Sequence, residues 1–295
     1  MNDKKMIWGH IVGIITVLCW GGTFINTKYL IMGGLKPHEI FFLRFLIAYI
    51  CIWFISPRRL FCDHWKDEAL MVLIGITGGS LFFQAENMAV ALSYTTNVSF
   101  IGCTAPLITT CMAIAMVKSV KADTRLVLGS LIALAGVGIV IFNGQFVLHL
   151  NPLGDLLALL SAMAWAVYSL LMKRASSRYG AVFITRKVFF YGLITILPMF
   201  AIEPWTFPFH DFLKPTIWLN LLFLGFVASF VCFALWSWVI RKIGAMKASN
   251  YIYLNPITTV IASAIFLNEP MTIMAYMGSA LILVGVYVSN QAKGI

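Results

Sequence analysis

Charge is scarce in this chain. Of its 295 residues only 11% are charged, with 11 acids set against 21 bases. A soluble domain of this length carries roughly a quarter of its residues as charged groups, so the composition excludes one. Cysteine motifs are missing too. The six cysteines, Cys19, Cys51, Cys62, Cys103, Cys111 and Cys232, form no CxxC and no Cys/His cluster. They read as small packed hydrophobes, with no metal site and no disulfide framework. No GxxxxGK[ST] loop occurs, which argues against ATP-driven transport within the chain. The five histidines, His10, His38, His64, His149 and His210, fall at the ends of apolar runs or between them. The clustered acid–base groups of a membrane-embedded enzyme are therefore lacking, and the chain reads as a non-enzyme that needs no cofactor.

What is present is apolar. Hydrophobic residues make up 61% of the chain, and its mean hydropathy is +0.91. The apolar runs are continuous and ~20 residues long, which in lipid means helices and not the ~10-residue alternating strands of a barrel. The expected fold is all-α and integral to the membrane. Ten transmembrane helices are placed at about 8–32, 39–56, 69–91, 95–117, 125–143, 153–173, 181–201, 215–240, 246–267 and 271–290. The first run is too long for a signal-peptide core, so it reads as a retained helix.

The net charge of +10 lies in short loops, which makes it a topology signal and not a nucleic-acid footprint. With the N-terminus in the cytoplasm, the cytoplasmic loops hold Arg58, Arg59 and Lys66, then Lys118, Lys121 and Arg125, then Lys173, Arg174 and Arg178, then Arg241, Lys242 and Lys247. The other side holds only Lys36 and Lys214. The expectation is a multi-pass protein of the cell inner (plasma) membrane with both termini cytoplasmic.

The chain also repeats itself. With Trp20 aligned on Trp165, Gly9 falls on Gly154, Thr16 on Ser161, Thr23 on Tyr168 and Lys28 on Lys173. Farther on, Pro106 falls on Pro256, and GSLIALAGVGIV from Gly129 matches GSALILVGVYVS from Gly278. The copies, 1–150 and 151–295, are five helices apart, so the second enters the membrane from the opposite side. Two inverted five-helix repeats are the architecture of secondary transporters that alternate access around a midplane site.

Several residues stand out as pathway candidates. Thr16, Trp20 and Thr23 share one helix stripe, and Ser161, Trp165 and Tyr168 share its counterpart. These stripes line a cavity or, as the alternative, hold helices together. Tyr251 and Asn255 share a face of the ninth span and are placed in the cavity as well. Lys28, Arg44 and Glu86 all lie about five residues, roughly 7–8 Å, inside the extracytoplasmic ends of their spans. Glu86 is the only acid in a span interior. Three roles stay open for it: coupling to a proton or cation, contact with a cationic substrate group, or a structural pair with Arg44 or Lys28. Pro106 and Pro256, expected in mid-helix, are hinge candidates that free the carbonyls of Gly102 and Ile252. The glycine stripes of spans five and ten read as packing surfaces, within one protomer or between two.

The ordered motifs CWGGTFINTKYL in the first span, Leu43-Arg44-Phe45, ALSYTTNVSFIGCTAPLITT, and FLNEP followed by GSALILVGV resemble the drug/metabolite transporter superfamily. In particular, the chain is similar to the EamA-type bacterial permeases, and the match covers nearly its whole length. One departure is Glu269-Pro270, which has no counterpart at Lys118 to Lys121. The resemblance implies a central cavity and export or exchange of small metabolites such as amino acids; the reading of Glu86 adds a proton as the candidate coupling ion. The alternative is a channel-like facilitator or an importer of a related metabolite. Partners are then the solute and the bilayer, with the chain acting as monomer or homodimer.

Overall fold

The computed structural model describes residues 3–56, 59–93, 95–116, 123–142, 151–258, 261 and 273–291. Among them every regular element is helical. Six helical runs are long and apolar enough to cross a bilayer: Met6–Met32, Trp65–Leu92, Val98–Met116, Pro152–Ala175, Ala181–Ile202 and Pro215–Ile243. Shorter apolar helices, Thr124–Val140 and Tyr276–Asn290, stand at the fifth and tenth expected positions. Pro37–Ile52 stands at the second; its 16 residues span roughly 24 Å at 1.5 Å each. The ninth span is described only to residue 258 and at residue 261, so Glu269 and Pro270 lie outside the described residues.

The runs are less continuous than their hydropathy suggests. The first is two helices, α1 (Asp3–Trp20) and α2 (Thr23–Met32), parted at Gly21 and Gly22. The ninth span crosses at that break, and a Cβ on Gly21 would stand 2.7 Å from Thr258 Cβ. After α3 (Pro37–Ile52), the third run joins α4 (Trp65–Gly75) to α5 (Leu81–Leu92) through a π-helical segment, Ile76–Ser80. The fourth breaks between α6 (Thr95–Gly102) and α7 (Ala105–Met116). Then come α8 (Thr124–Phe142), α9 (Pro152–Ala175) and α10 (Ala181–Ile202). The eighth run joins α11 (Pro215–Leu222) to α12 (Cys232–Ile243) through a second π segment, Phe223–Val231. The ninth begins with the short α13 (Ala245–Ser249) and a 3-10 run, Asn250–Leu254, and α14 (Ile273–Asn290) is last.

Pro106 corrects the sequence expectation: it is the second residue of α7, after the turn at Cys103 and Thr104, a position where proline removes no helix hydrogen bond. Pro256 stands where the 3-10 run passes directly into α-helical residues, within the unbroken helical stretch 245–258. The Ile252 carbonyl, expected to be freed, accepts the Asn255 N–H in the 3-10 pattern.

Packing fixes which helix ends lie together. Gly9 faces Ile243, Met246 clusters with Ala113 and Leu126, and Gly129 faces Ser289. The first and last described helices therefore end on one face, the termini face. The stripes of α8 and α14 meet inside the protomer, backbone to backbone. A Cβ on Gly129 would lie 2.6 Å from Gly285 O, and one on Gly285 2.6 Å from Gly129 O. Gly136 and Gly278 face each other's carbonyls at 2.7 Å in the same reciprocal way. Small residues allow this approach, which supplies van der Waals contact where lipid offers no hydrophobic drive.

Polar clamps join the two halves of the sequence at both faces. Away from the termini, buried Glu39 accepts the N–H of Thr206 at 2.8 Å and that of Lys36 at 2.9 Å. At the termini face, Glu68 accepts from Lys187, from Tyr191 and, at 2.7 Å, from the Cys62 N–H. Asp67 accepts from Arg178 at 3.0 Å and Tyr179 at 2.9 Å, while Arg186 donates to Ser56 Oγ at 2.7 Å and to the Arg59 carbonyl. Glu86 lies inside its helical run, within Leu81–Leu92, and it shares the runs with other acids, among them Glu39, Asp67, Glu68 and Asp155. The others sit in first turns, where they meet helix N-termini and basic partners.

Candidate functional site

Three irregular points of the helical runs converge: the Gly21–Gly22 break, the gap between α6 and α7, and the passage from 3-10 to α-helix after Leu254. A cavity lies among them. Trp20, Thr23 and Phe24 line it from the first run, Arg44 from α3, and Phe82, Phe83 and Glu86 from α5. Ser99, Gly102, Cys103 and Ala105 surround the fourth-run break, α9 supplies Ser161, Ala162 and Trp165, α12 supplies Phe233, and the ninth run supplies Ile252 and Asn255. About 70 Å³ is open to the centres of water-sized molecules. One water needs roughly 10–15 Å³ by that measure, so this conformer has room for a few waters.

The aromatic wall is built around Trp165. Its ring lies 5.4 Å from Trp20, 4.9 Å from Phe82 and 6.0 Å from Phe233, centroid to centroid. Trp20 donates its indole N–H to the Ala228 carbonyl at 2.8 Å. Ala228 belongs to the second π segment, and π-helical turns inside α-helices often mark functional sites. The next residue, Ser229, accepts from Arg44 Nε through its hydroxyl at 2.9 Å. One irregular turn of the eighth run therefore orients two residues of the wall.

Arg44 is 2% exposed. Its guanidinium carbon sits 4.2 Å above the Phe83 ring, a cation–π contact in a desolvated setting. Glu86 is half-buried in the same wall. Among the described residues it has no hydrogen bond and no ion pair, and Arg44 acts on it through space. The cavity thus presents one cation and one anion that do not touch.

The structure divides the sequence candidates. Trp20, Thr23, Trp165 and Asn255 line the cavity with Arg44 and Glu86. Thr16, Tyr168 and Tyr251 do not. Thr16 is fully buried and bonds back to the Val12 carbonyl at 2.7 Å. Tyr168 is fully buried against the first π segment, where a Cβ on Gly78 would stand 2.6 Å from its Cγ. Tyr251 meets His10 Nδ1 at 2.5 Å. All three lie about one helical turn nearer the termini face than the lining residues beside them. Lys28 is not paired with Glu86 either: it donates to the Val90 carbonyl at 3.0 Å, near the end of α5. Sequence reasoning missed Ser99, Ser229 and the π segments. Their signals were faint, a Gly75–Gly78–Gly79 cluster in one run and a lone Gly225 in the other.

The model of the EamA-like transporter family matches the chain twice, over residues 7–142 and 152–291. An uncharacterized transporter of Archaeoglobus fulgidus is 25% identical, the alignment covering 99% of each chain. A probable amino-acid metabolite efflux pump of Escherichia coli (strain K12) is 23% identical over 95% of this chain and 93% of its own. A solved crystal structure shares the fold with a TM-score of 0.76 at 17% identity, covering 98% of this chain and 97% of that one.

Proposed function

The chain belongs to the EamA-like transporter family, and from that premise we propose that it is a secondary transporter exporting or exchanging small zwitterionic metabolites of the amino-acid class. The observation that carries this is the pair of opposite charges, Arg44 and Glu86, facing one aromatic-walled cavity without neutralising each other. An α-amino acid brings the complementary pair. Its carboxylate suits the planar guanidinium fork, and its ammonium suits Glu86 in a wall that also carries the Phe82 and Phe83 rings. A dianionic phosphate would leave Glu86 facing like charge in a poorly solvated site. The relative named as a probable amino-acid metabolite efflux pump supports the same solute class.

Alternating access follows from two inverted five-helix halves, 1–150 and 151–295, in the inner membrane with both termini cytoplasmic. The double family match supports the two halves. The reciprocal packing of α8 on α14 supports their inversion. Glu86 is the coupling group: it exchanges a proton for the substrate ammonium, so flux follows the pH gradient. The test is uptake of labelled amino acids by proteoliposomes under an imposed pH gradient. Flux above empty vesicles that a protonophore collapses is expected; flux equal to empty vesicles for every amino acid tried would overturn the proposal.

A further inference from the structure

Trp20 and Trp165 occupy matched places in the two halves, yet their indole N–H groups differ in what they meet. That of Trp20 is satisfied by the Ala228 carbonyl at 2.8 Å. Trp165 is 4% exposed, and its Nε1 has no acceptor among the described residues. Ser99, 5% exposed and in the same cavity wall, has a hydroxyl that is likewise without a partner. Buried polar groups are nearly always bonded, and an exception calls for a reason. Packing does not supply one. Of the rings around Trp165, those of Trp20, Phe82, Phe233 and Trp236 carry no acceptor, and the Tyr168 hydroxyl makes no hydrogen bond to it; a phenyl side chain would fill such a box without stranding a donor.

Arg44 and Glu86 account for both charged ends of a zwitterion, which leaves two neutral donors for the rest of the solute. We propose that Trp165 Nε1–H and the Ser99 hydroxyl recognise an oxygen acceptor, a hydroxyl or a carbonyl, on the uncharged side chain of the transported amino acid. Trp165 is then the selecting tryptophan and Trp20 the anchoring one. This rests on the zwitterion proposal above. Both donors are covered in the present narrow cavity, so the solute reaches them as the cavity widens on loading. An apolar side chain in their place leaves both unpaired, and sites built around hydrogen bonds reject isosteres that lack the matching group for that reason.

The experiment compares near-isosteric pairs, labelled threonine with valine and asparagine with leucine, in proteoliposomes of the full chain. The oxygen-bearing member of each pair should be preferred in kcat/KM by about tenfold or more. Trp165→Phe and Ser99→Ala should each bring the ratio toward one, by raising the KM for threonine while valine flux persists. Trp20→Phe should slow both members alike and keep the ratio. If Trp165→Phe does not fold, the Ser99→Ala arm decides. A wild-type ratio near one, or a ratio that survives Ser99→Ala, overturns the inference and leaves the zwitterion proposal standing. If none of the four amino acids exceeds empty vesicles, the zwitterion proposal falls and this inference falls with it.

Discussion

Trp20 and Trp165 meet edge to face, with centroids 5.4 Å apart and ring planes at 86°. Such a pair contributes about 0.5–1.5 kcal/mol beyond its buried area, and here it joins α1 to α9 across the cavity wall. Trp20 adds a hydrogen bond to the Ala228 carbonyl. Trp20→Phe should therefore destabilise the protein by about 1 kcal/mol more than Trp165→Phe, the net value of that bond. Thermal midpoints of the two variants in one detergent measure the difference, and equal midpoints would mean that the Ala228 contact contributes nothing.

Glu86→Gln keeps the size of the side chain and removes its charge. With Glu86 as coupling group, the variant should lose flux driven by a pH gradient while solute-for-solute exchange persists. Paired uptake and counterflow measurements read both. Gradient-driven flux at the wild-type rate would remove Glu86 from the coupling step.

Lys28 lies near Glu86 in sequence depth but is spent on the Val90 carbonyl at the end of α5. A cation at a helix C-terminus contributes about 0.3–1 kcal/mol. Lys28→Met should cost no more than that in stability and keep gradient-driven transport. A transport loss as deep as that of Glu86→Gln would instead place Lys28 in the coupling machinery.

Gly78→Ala should destabilise by about 1–3 kcal/mol, the usual cost of overpacking, because the Tyr168 ring occupies the space a Cβ needs. The ring collides and its hydroxyl does not, so Tyr168→Phe should leave the defect in place while Tyr168→Leu relieves part of it. A double-mutant cycle on thermal midpoints resolves the two outcomes.

Cys62 lies outside the spans, and its thiol is pushed up to about 11, first by burial and then by the Glu68 carboxylate. Below that pH it stays a thiol and reacts slowly, since the thiolate is the nucleophile. In a chain whose other cysteines are replaced, maleimide labelling at neutral pH should be slow and should accelerate as the pH rises. Glu68→Gln should bring that acceleration to lower pH. Fast labelling at neutral pH in the parent chain would show that the Glu68 clamp is open in the membrane.

Hydropathy alone located the helical runs, because a twenty-residue apolar stretch has one stable form in lipid. Periodicity grouped Thr16 with Trp20 and Tyr168 with Trp165, since residues four and three apart share a helix face. It carried no information about depth. The face that opens on a cavity at Trp20 is sealed one turn away at Thr16, and the Trp165 face is sealed at Tyr168 in the same manner. The breaks were illegible for a related reason. The groups that the π turn at Phe223–Val231 holds, Arg44 and Trp20, lie 185 and 208 residues away from their partners in it. Glu39 went unread for the same reason, since the Thr206 N–H it holds is 167 residues distant.

The reciprocal distances at the α8–α14 seam have one further consequence. Exchanging the partners, Gly129 with Gly278 and Gly136 with Gly285, returns the same two contacts, 2.6 Å and 2.7 Å each way. A patch that complements itself in this way is isologous, the kind of surface that closes homodimers. Joining both helices in one chain supplies effective concentration to that seam. Under the proposed inverted-repeat reading, a free repeat would present to a second copy of itself the surface that here packs α8 on α14.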